Sequence, residues 1–95
     1  MRIFAHQTLL QFATRHPDAA EQLEFWYRNA KREKWSHLTQ VRTMFPHADA
    51  VGKKAVFNVK GNKYRLITEI NYEKQFVFVR NFLTHAEYDK GDWKK

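Results

Sequence analysis

No cysteine occurs among the 95 residues. That absence removes disulfide staples, thiolate metal sites and a cysteine nucleophile together, and it suits a reducing compartment. Glycine is scarce at three residues, so neither a Walker-type phosphate loop nor a G-x-G-x-x-G turn can be assembled, and no G-x-S-x-G elbow is present. Long apolar runs are missing as well. The opening stretch "MRIFAHQTLLQF" is interrupted by His6, Gln7 and Gln11, which suits neither a signal peptide nor a membrane span. A cytoplasmic protein with no membrane partner is expected. Five histidines are present, but none forms an H-x-x-x-H or H-x-H pair, so no metal and no other cofactor is expected. "HAE" at residues 85–87 has the outline of the H-x-E of zinc deaminases without the P-C-x-x-C that must accompany it.

Acidic residues are also in short supply, 10 against 17 Lys and Arg, for a net charge of +7. The excess is uneven: residues 1–50 carry +2 and residues 51–95 carry +5. A basic surface of this kind favours polyanions, because neutralising phosphates releases condensed counterions; it also serves solubility alone. Hydrophobic residues at 43% and aromatics at 16% make a folding composition with a ring-rich core, despite a mean hydropathy of -0.74. The length allows one domain, residues 1–95, with one sheet and a few helices.

"RIF" reads as a short first strand. Thr8 and Gln11 have capping-box spacing and predict a first helix of about two turns ending near His16. Pro17 suits the start of a second helix, with Asp18 and Glu21 near its positive end and Ala19, Leu23, Trp26 and Ala30 as a buried stripe. Ser36 is placed to cap a third helix that Pro46 stops. From there the period changes to alternation. "AVFNV" and "KYRLITEINY" predict two strands joined at "KGNK", where Gly61 and Asn62 suit the positive φ of a tight turn, and "QFVFVRNF" returns as a third. The expected architecture is α+β: a small antiparallel sheet of the N-terminal strand plus a three-stranded meander, covered on one face by the N-terminal helices and followed by a short C-terminal helix.

Alternation assigns Tyr64, Leu66, Ile70 and Tyr72 to one face of the second strand and Arg65, Ile67 and Glu69 to the other. In the last strand Val77 and Val79 face the helices, leaving Phe76, Phe78, Arg80 and Phe82 opposite. Arginines and rings on one uncovered face either grip phosphates and stack unpaired bases, or form a second small core with snorkelling arginines. "FLTHAEYDK" ends the strand with the T-x-x-E pattern of a capping box, predicting a helix that starts after Thr84 and stops near Gly91. His85 and Tyr88 then share a helix face, and a histidine titrating near neutrality beside a phenol can exchange protons.

Four segments, "HPDA" (16–19), "WYRNAKREKW" (26–35), "VFNVKGNKYRL" (56–66) and "THAEYDK" (84–90), together resemble the HigB-like toxins of type II toxin-antitoxin systems, within the RelE/ParE superfamily. They span nearly the whole chain in the same order, the last two being the specific ones. Asn81 stands where that pattern leads one to expect an apolar residue. The resemblance implies a RelE-like fold, an mRNA interferase acting on the ribosome, and a HigA-like helix-turn-helix antitoxin through which the complex would reach operator DNA. By the same likeness Arg65, Arg80, His85 and Tyr88 are the catalytic candidates. Lys60, Asn62 and Lys63 at the hairpin are candidates for contacts to the RNA backbone, Asn62 also being suited to the turn itself. Two other functions remain open on the same fold: a ParE-like gyrase poison and an RNA-binding module without chemistry.

Overall fold

The structure, a computed structural model, describes residues 1–4 and 6–94. The chain opens with strand β1 (Arg2–Phe4) and helix α1 (His6–Arg15). A 3₁₀ turn (Pro17–Ala19) then leads into α2 (Ala20–Arg32), and α3 (Leu38–Met44) follows. Four strands come next, β2 (Asp49–Val51), β3 (Lys54–Val59), β4 (Tyr64–Asn71) and β5 (Phe76–Thr84). The chain ends with α4 (His85–Lys90) and a 3₁₀ turn (Asp92–Lys94). The sheet runs β1-β5-β4-β3-β2. The α+β class, the helices on one face and the terminal helix are as the sequence implies. Two features are added: β2 extends the sheet beyond β3, and β1 lies parallel to β5, pairing Ile3 with Val77, so the sheet is mixed.

Helix α2 buries Leu23, Trp26 and Ala30, and Ala19 just before it is buried too, which is the stripe expected of a 3.6-residue period. Against it the sheet presents Phe57, Val59, Leu66, Val77 and Val79. Phe57, almost fully buried, is the hub, with Trp26 and Phe45 meeting it edge-on at centroid distances of 5.4 Å and 5.3 Å. Such edge contacts set the negative face of one ring against the positive rim of another. Two helix starts differ from the sequence expectation. Helix α1 begins at His6, so Thr8 lies inside it, and α3 follows His37, with the Ser36 amide donating to the Gln40 side chain at 2.6 Å.

Between β4 and β5 the register slips by one residue. Thr68 pairs with Val79 but Ile67 with Asn81, so Arg80 is the extra residue of a bulge. A one-residue slip exchanges the faces of everything beyond it. Phe82 therefore points into the helix-side core, stacked against Phe12 at 5.5 Å and close to Tyr64, rather than lying beside Phe76 and Phe78 as strict alternation predicts. It also leaves Asn81, the polar departure noted in the sequence, immediately after the bulge.

Candidate active site

The β3–β4 hairpin and the β5–α4 junction meet at one end of the sheet, on the face away from α1 and α2. Thr84 and Glu87 form the complete capping box: the Glu87 amide donates to the Thr84 hydroxyl at 3.2 Å and the Thr84 amide donates to the Glu87 carboxylate at 2.9 Å. That amide, with the Thr84 hydroxyl and nearby cations, holds the Glu87 carboxyl below its ordinary range. Gly91, at φ 77°, closes the helix in the left-handed conformation that only glycine adopts without strain. Because the helix start is so defined, His85 has a fixed position, and its amide also donates to the Lys63 carbonyl of the hairpin at 3.0 Å. The hairpin itself takes its positive φ values at Lys60 and Gly61, one residue earlier than the sequence suggests.

Arg65, only 8% exposed, is aimed across this junction. Its guanidinium donates to the Asn62 side-chain oxygen at 2.7 Å, to the Asn62 carbonyl at 3.1 Å and to the Tyr64 carbonyl at 3.2 Å. One of its nitrogens lies 3.4 Å from His85 Nδ1. Arginine has no acceptor, so this contact requires Nδ1 to be the accepting nitrogen and leaves the proton of a neutral ring on Nε2. There Asp89, one helical turn on, lies 3.2 Å away. The imidazole is thus held between a cation and a carboxylate, yet 51% of its side chain is open to solvent, enough for a polymer substrate to reach it.

Tyr88 completes the group. Arg65 Cζ sits 5.2 Å from the centre of its ring, and on the other side of the site Trp93 stacks on Tyr88 at 4.9 Å with 14° between the planes. The Trp93 indole N–H donates to the Tyr88 carbonyl at 2.8 Å, and its ring packs into a second small core with Val56 and Ile67. A second core does exist under the terminal helix, but it is built from these residues rather than from phenylalanines. Sequence reasoning singled out neither Asp89 nor Trp93. The i, i+4 spacing of His85 and Asp89 was the available signal for the first; nothing local marks the second.

The remaining candidates lie elsewhere. Arg80 shares the face of Arg65 but is held at Glu69, with Nε–Oε1 3.2 Å and a second contact at 3.4 Å, and Lys54 reaches the same carboxylate at 3.2 Å. These cations, Arg80 first, keep the Glu69 carboxyl below its usual range. Glu69 is four residues along β4 from Arg65, about 13 Å at the rise of a strand, so the structure does not bring Arg80 to the Arg65–His85–Tyr88 group. Lys60 is exposed at the hairpin tip, its amide bonded to the Gln22 side chain. Lys63 pairs with Asp18 at 2.5 Å. Among the described residues no three His, Asp or Glu side chains converge as metal ligands, and no helix is long and apolar enough to cross a membrane.

Asp18 therefore does more than complement a helix dipole. It accepts from Lys63 and, at 2.9 Å and 3.1 Å, from the Tyr64 hydroxyl, tying the turn before α2 to the hairpin. The hydrogen bond from Lys63 is the largest cause lowering the Asp18 carboxyl, and the Lys63 ammonium is raised in return, chiefly by Asp18. A lowered carboxylate contributes stability above its unfolded value of about 4 and loses it as pH falls through the folded value; a raised ammonium loses its share only above about pH 10. The difference in melting temperature between wild type and Asp18→Asn is expected to be flat between those limits and to shrink below about pH 4. A difference that is unchanged at acid pH would show that the link carries no charge-dependent stability.

Comparison with known proteins places this sequence in a family. A family model for the HigB toxin, described as the RelE-like toxic component of a toxin-antitoxin system, matches residues 19–91. The chain is 34% identical over 93 residues to the mRNA interferase HigB of Escherichia coli O6:H1 (strain CFT073), with 95% of this chain and 90% of the relative covered. It is 26% identical over 92 residues to the mRNA interferase toxin HigB of Escherichia coli K12, covering 94% and 88%. The mRNA interferase HigB of Shigella flexneri is similar to the same degree. The chain belongs to the HigB toxin family, RelE-like toxic components of toxin-antitoxin systems.

Proposed function

We propose that this toxin is a ribosome-dependent endoribonuclease that cleaves messenger RNA and so halts translation. The observation that carries the reading is the convergence of Arg65, His85 and Tyr88 at one end of the uncovered sheet face. It is supported by relatives that are themselves named mRNA interferases. In the reaction the ribose 2′-oxygen attacks the adjacent phosphorus as its proton leaves to a base. The bond from phosphorus to the 5′-oxygen breaks, and that oxygen takes a proton from an acid, giving a 2′,3′-cyclic phosphate and a free 5′-hydroxyl.

Arg65 brings its fixed guanidinium charge to the phosphate as charge develops there, the kind of prearranged stabilisation that counts most in a site partly shielded from water. His85 moves the proton, with Tyr88 assisting or sharing that step. Arg80, Lys60 and Lys63 contact the RNA backbone at a distance from the bond that breaks, and Asn62 holds Arg65. The partner is a HigA-like helix-turn-helix antitoxin that restrains the toxin in the cytoplasm and carries it to operator DNA.

Mapping the 5′ ends of cellular mRNA after induction tests the reading: cuts in register with translated codons are expected, and a transcriptome without new ends overturns it. Cleavage is also expected to survive chelation of transition metals while magnesium, which the ribosome requires, is held constant. Activity lost under those conditions and restored by zinc would replace side-chain acid–base chemistry with metal chemistry. Association with ribosomes should weaken steeply as salt is raised, given the +5 carried by residues 51–95.

A further inference from the structure

The bulge leaves Phe76 and Phe78 on the open face, and the parallel pairing of β1 brings Arg2 and Phe4 beside them. The result is a column. Arg2 Cζ lies over Phe4 at 5.1 Å, Phe4 stacks on Phe78 at 4.9 Å with 12° between planes, and Arg80 Cζ lies over Phe78 at 5.1 Å. Phe76 meets both rings edge-on, at 5.0 Å and 6.1 Å. The three rings are half-buried and belong to neither buried cluster. Arg2 and Phe4 also lie outside the residues that the family model matches.

We infer that this column is a stacking subsite for unpaired bases of a single-stranded RNA whose backbone continues to Arg65 and His85. Charge chooses the occupant. Arg2, Arg80 and Lys54 surround the rings, and Lys53 and Glu73 line the same groove; Glu69 holds Arg80 and Lys54 in place, and cations outnumber acids four to two around the aromatic planes. A base stacks on the guanidinium planes at the two ends of the column, or on the ring face that an arginine uncovers as its N–H groups turn to a phosphate; a protein partner would gain little from the rings without a deeper pocket. From Phe78 to His85 the chain advances about 23 Å at strand spacing, a span that a short single strand covers. The inference rests on RNA being the target, as proposed above, though not on its cleavage.

The test uses a ten-nucleotide oligoribonucleotide, 2′-O-methylated throughout so that it cannot be cut, and a matched strand with abasic sites, each titrated by fluorescence anisotropy at low salt. Wild type is expected to prefer the base-bearing strand, and Phe78→Leu, which keeps apolar volume but removes the ring, to lose about tenfold in affinity for it and little for the abasic strand. Thermal melts confirm that the variant is folded, and Phe4→Leu repeats the measurement from the other side of the column. Equal affinity of wild type for the two strands, including no affinity for either, overturns the inference. So does a folded Phe78→Leu protein that binds RNA like wild type but no longer captures purified antitoxin, which would make the column a protein contact. Failure of the cleavage reading looks different: base-dependent binding that Phe78→Leu weakens, with no new mRNA ends in cells.

Discussion

His85→Ala is expected to lower cleavage of ribosome-bound message by about 10²–10⁴, the usual contribution of a positioned acid or base. The fold should be indifferent to the change, because the ring is half open to solvent and its contacts are one contact to Arg65 and one to Asp89. Asp89→Asn separates orientation from chemistry. It keeps a polar group opposite Nε2 but removes the carboxylate that orients the ring, so the single-turnover rate should fall while ribosome binding holds. Glu87→Ala should do the reverse of His85→Ala: it opens the capping box, costs about 0.5–2 kcal/mol of stability, and leaves the chemistry nearly intact. Single-turnover rates with melting curves for the three variants decide the matter. A His85→Ala protein that cuts at the wild-type rate passes proton transfer to Tyr88, and an equally active Tyr88→Phe removes α4 from the reaction altogether.

Why α4 was legible before the structure, and other parts were not, follows from the range of the interactions. Thr84, Glu87 and Gly91 state the start and stop of that helix in chemistry that acts within four residues, so the pattern and the observed cap coincide. The α2 stripe and the face assignment of β4 are likewise periodicities of the backbone itself. What was hidden is non-local. The parallel pairing of β1 with β5 joins residues more than 70 positions apart, and no local signal announces it. The bulge at Arg80 depends on how β5 pairs with β4, yet it decides that Phe82 turns into the helix-side core and parts from Phe76 and Phe78, which stay on the open face as alternation predicts. Asp18 reads as a helix-dipole acid until Lys63 and Tyr64 are brought to it across 45 and 46 residues. At the site the same division holds. The proximity of His85 and Tyr88 was written in their spacing, whereas the separation of Arg65 from Arg80, two arginines alike in the sequence, came from Asn62 holding one and Glu69 the other.

That separation makes the second large effect a contrast between two arginines. Arg65→Ala is expected to lower the cleavage rate by about 10²–10³, the loss seen when one prearranged donor to a developing anion is removed. It should also cost stability, because the buried Tyr64 carbonyl and the partly buried Asn62 carbonyl lose their Arg65 donor. Arg65→Lys is the informative variant. The ammonium restores the charge, but it cannot reach Asn62, the hairpin carbonyls and His85 in one planar fork, so much of the rate should stay lost even where melting recovers. Arg80→Ala should differ in kind: its guanidinium is engaged by Glu69 and half exposed, about 13 Å of strand from Arg65. There the expected change is a rise in KM and a shallower salt dependence, with kcat within a few-fold of wild type. Equal losses of kcat in Arg65→Ala and Arg80→Ala would mean that Glu69 releases Arg80 on binding RNA and that both arginines close on the same phosphate. Glu69→Gln would then raise affinity, by freeing Arg80 in advance, whereas with separate roles it should leave kcat alone and only loosen the open face.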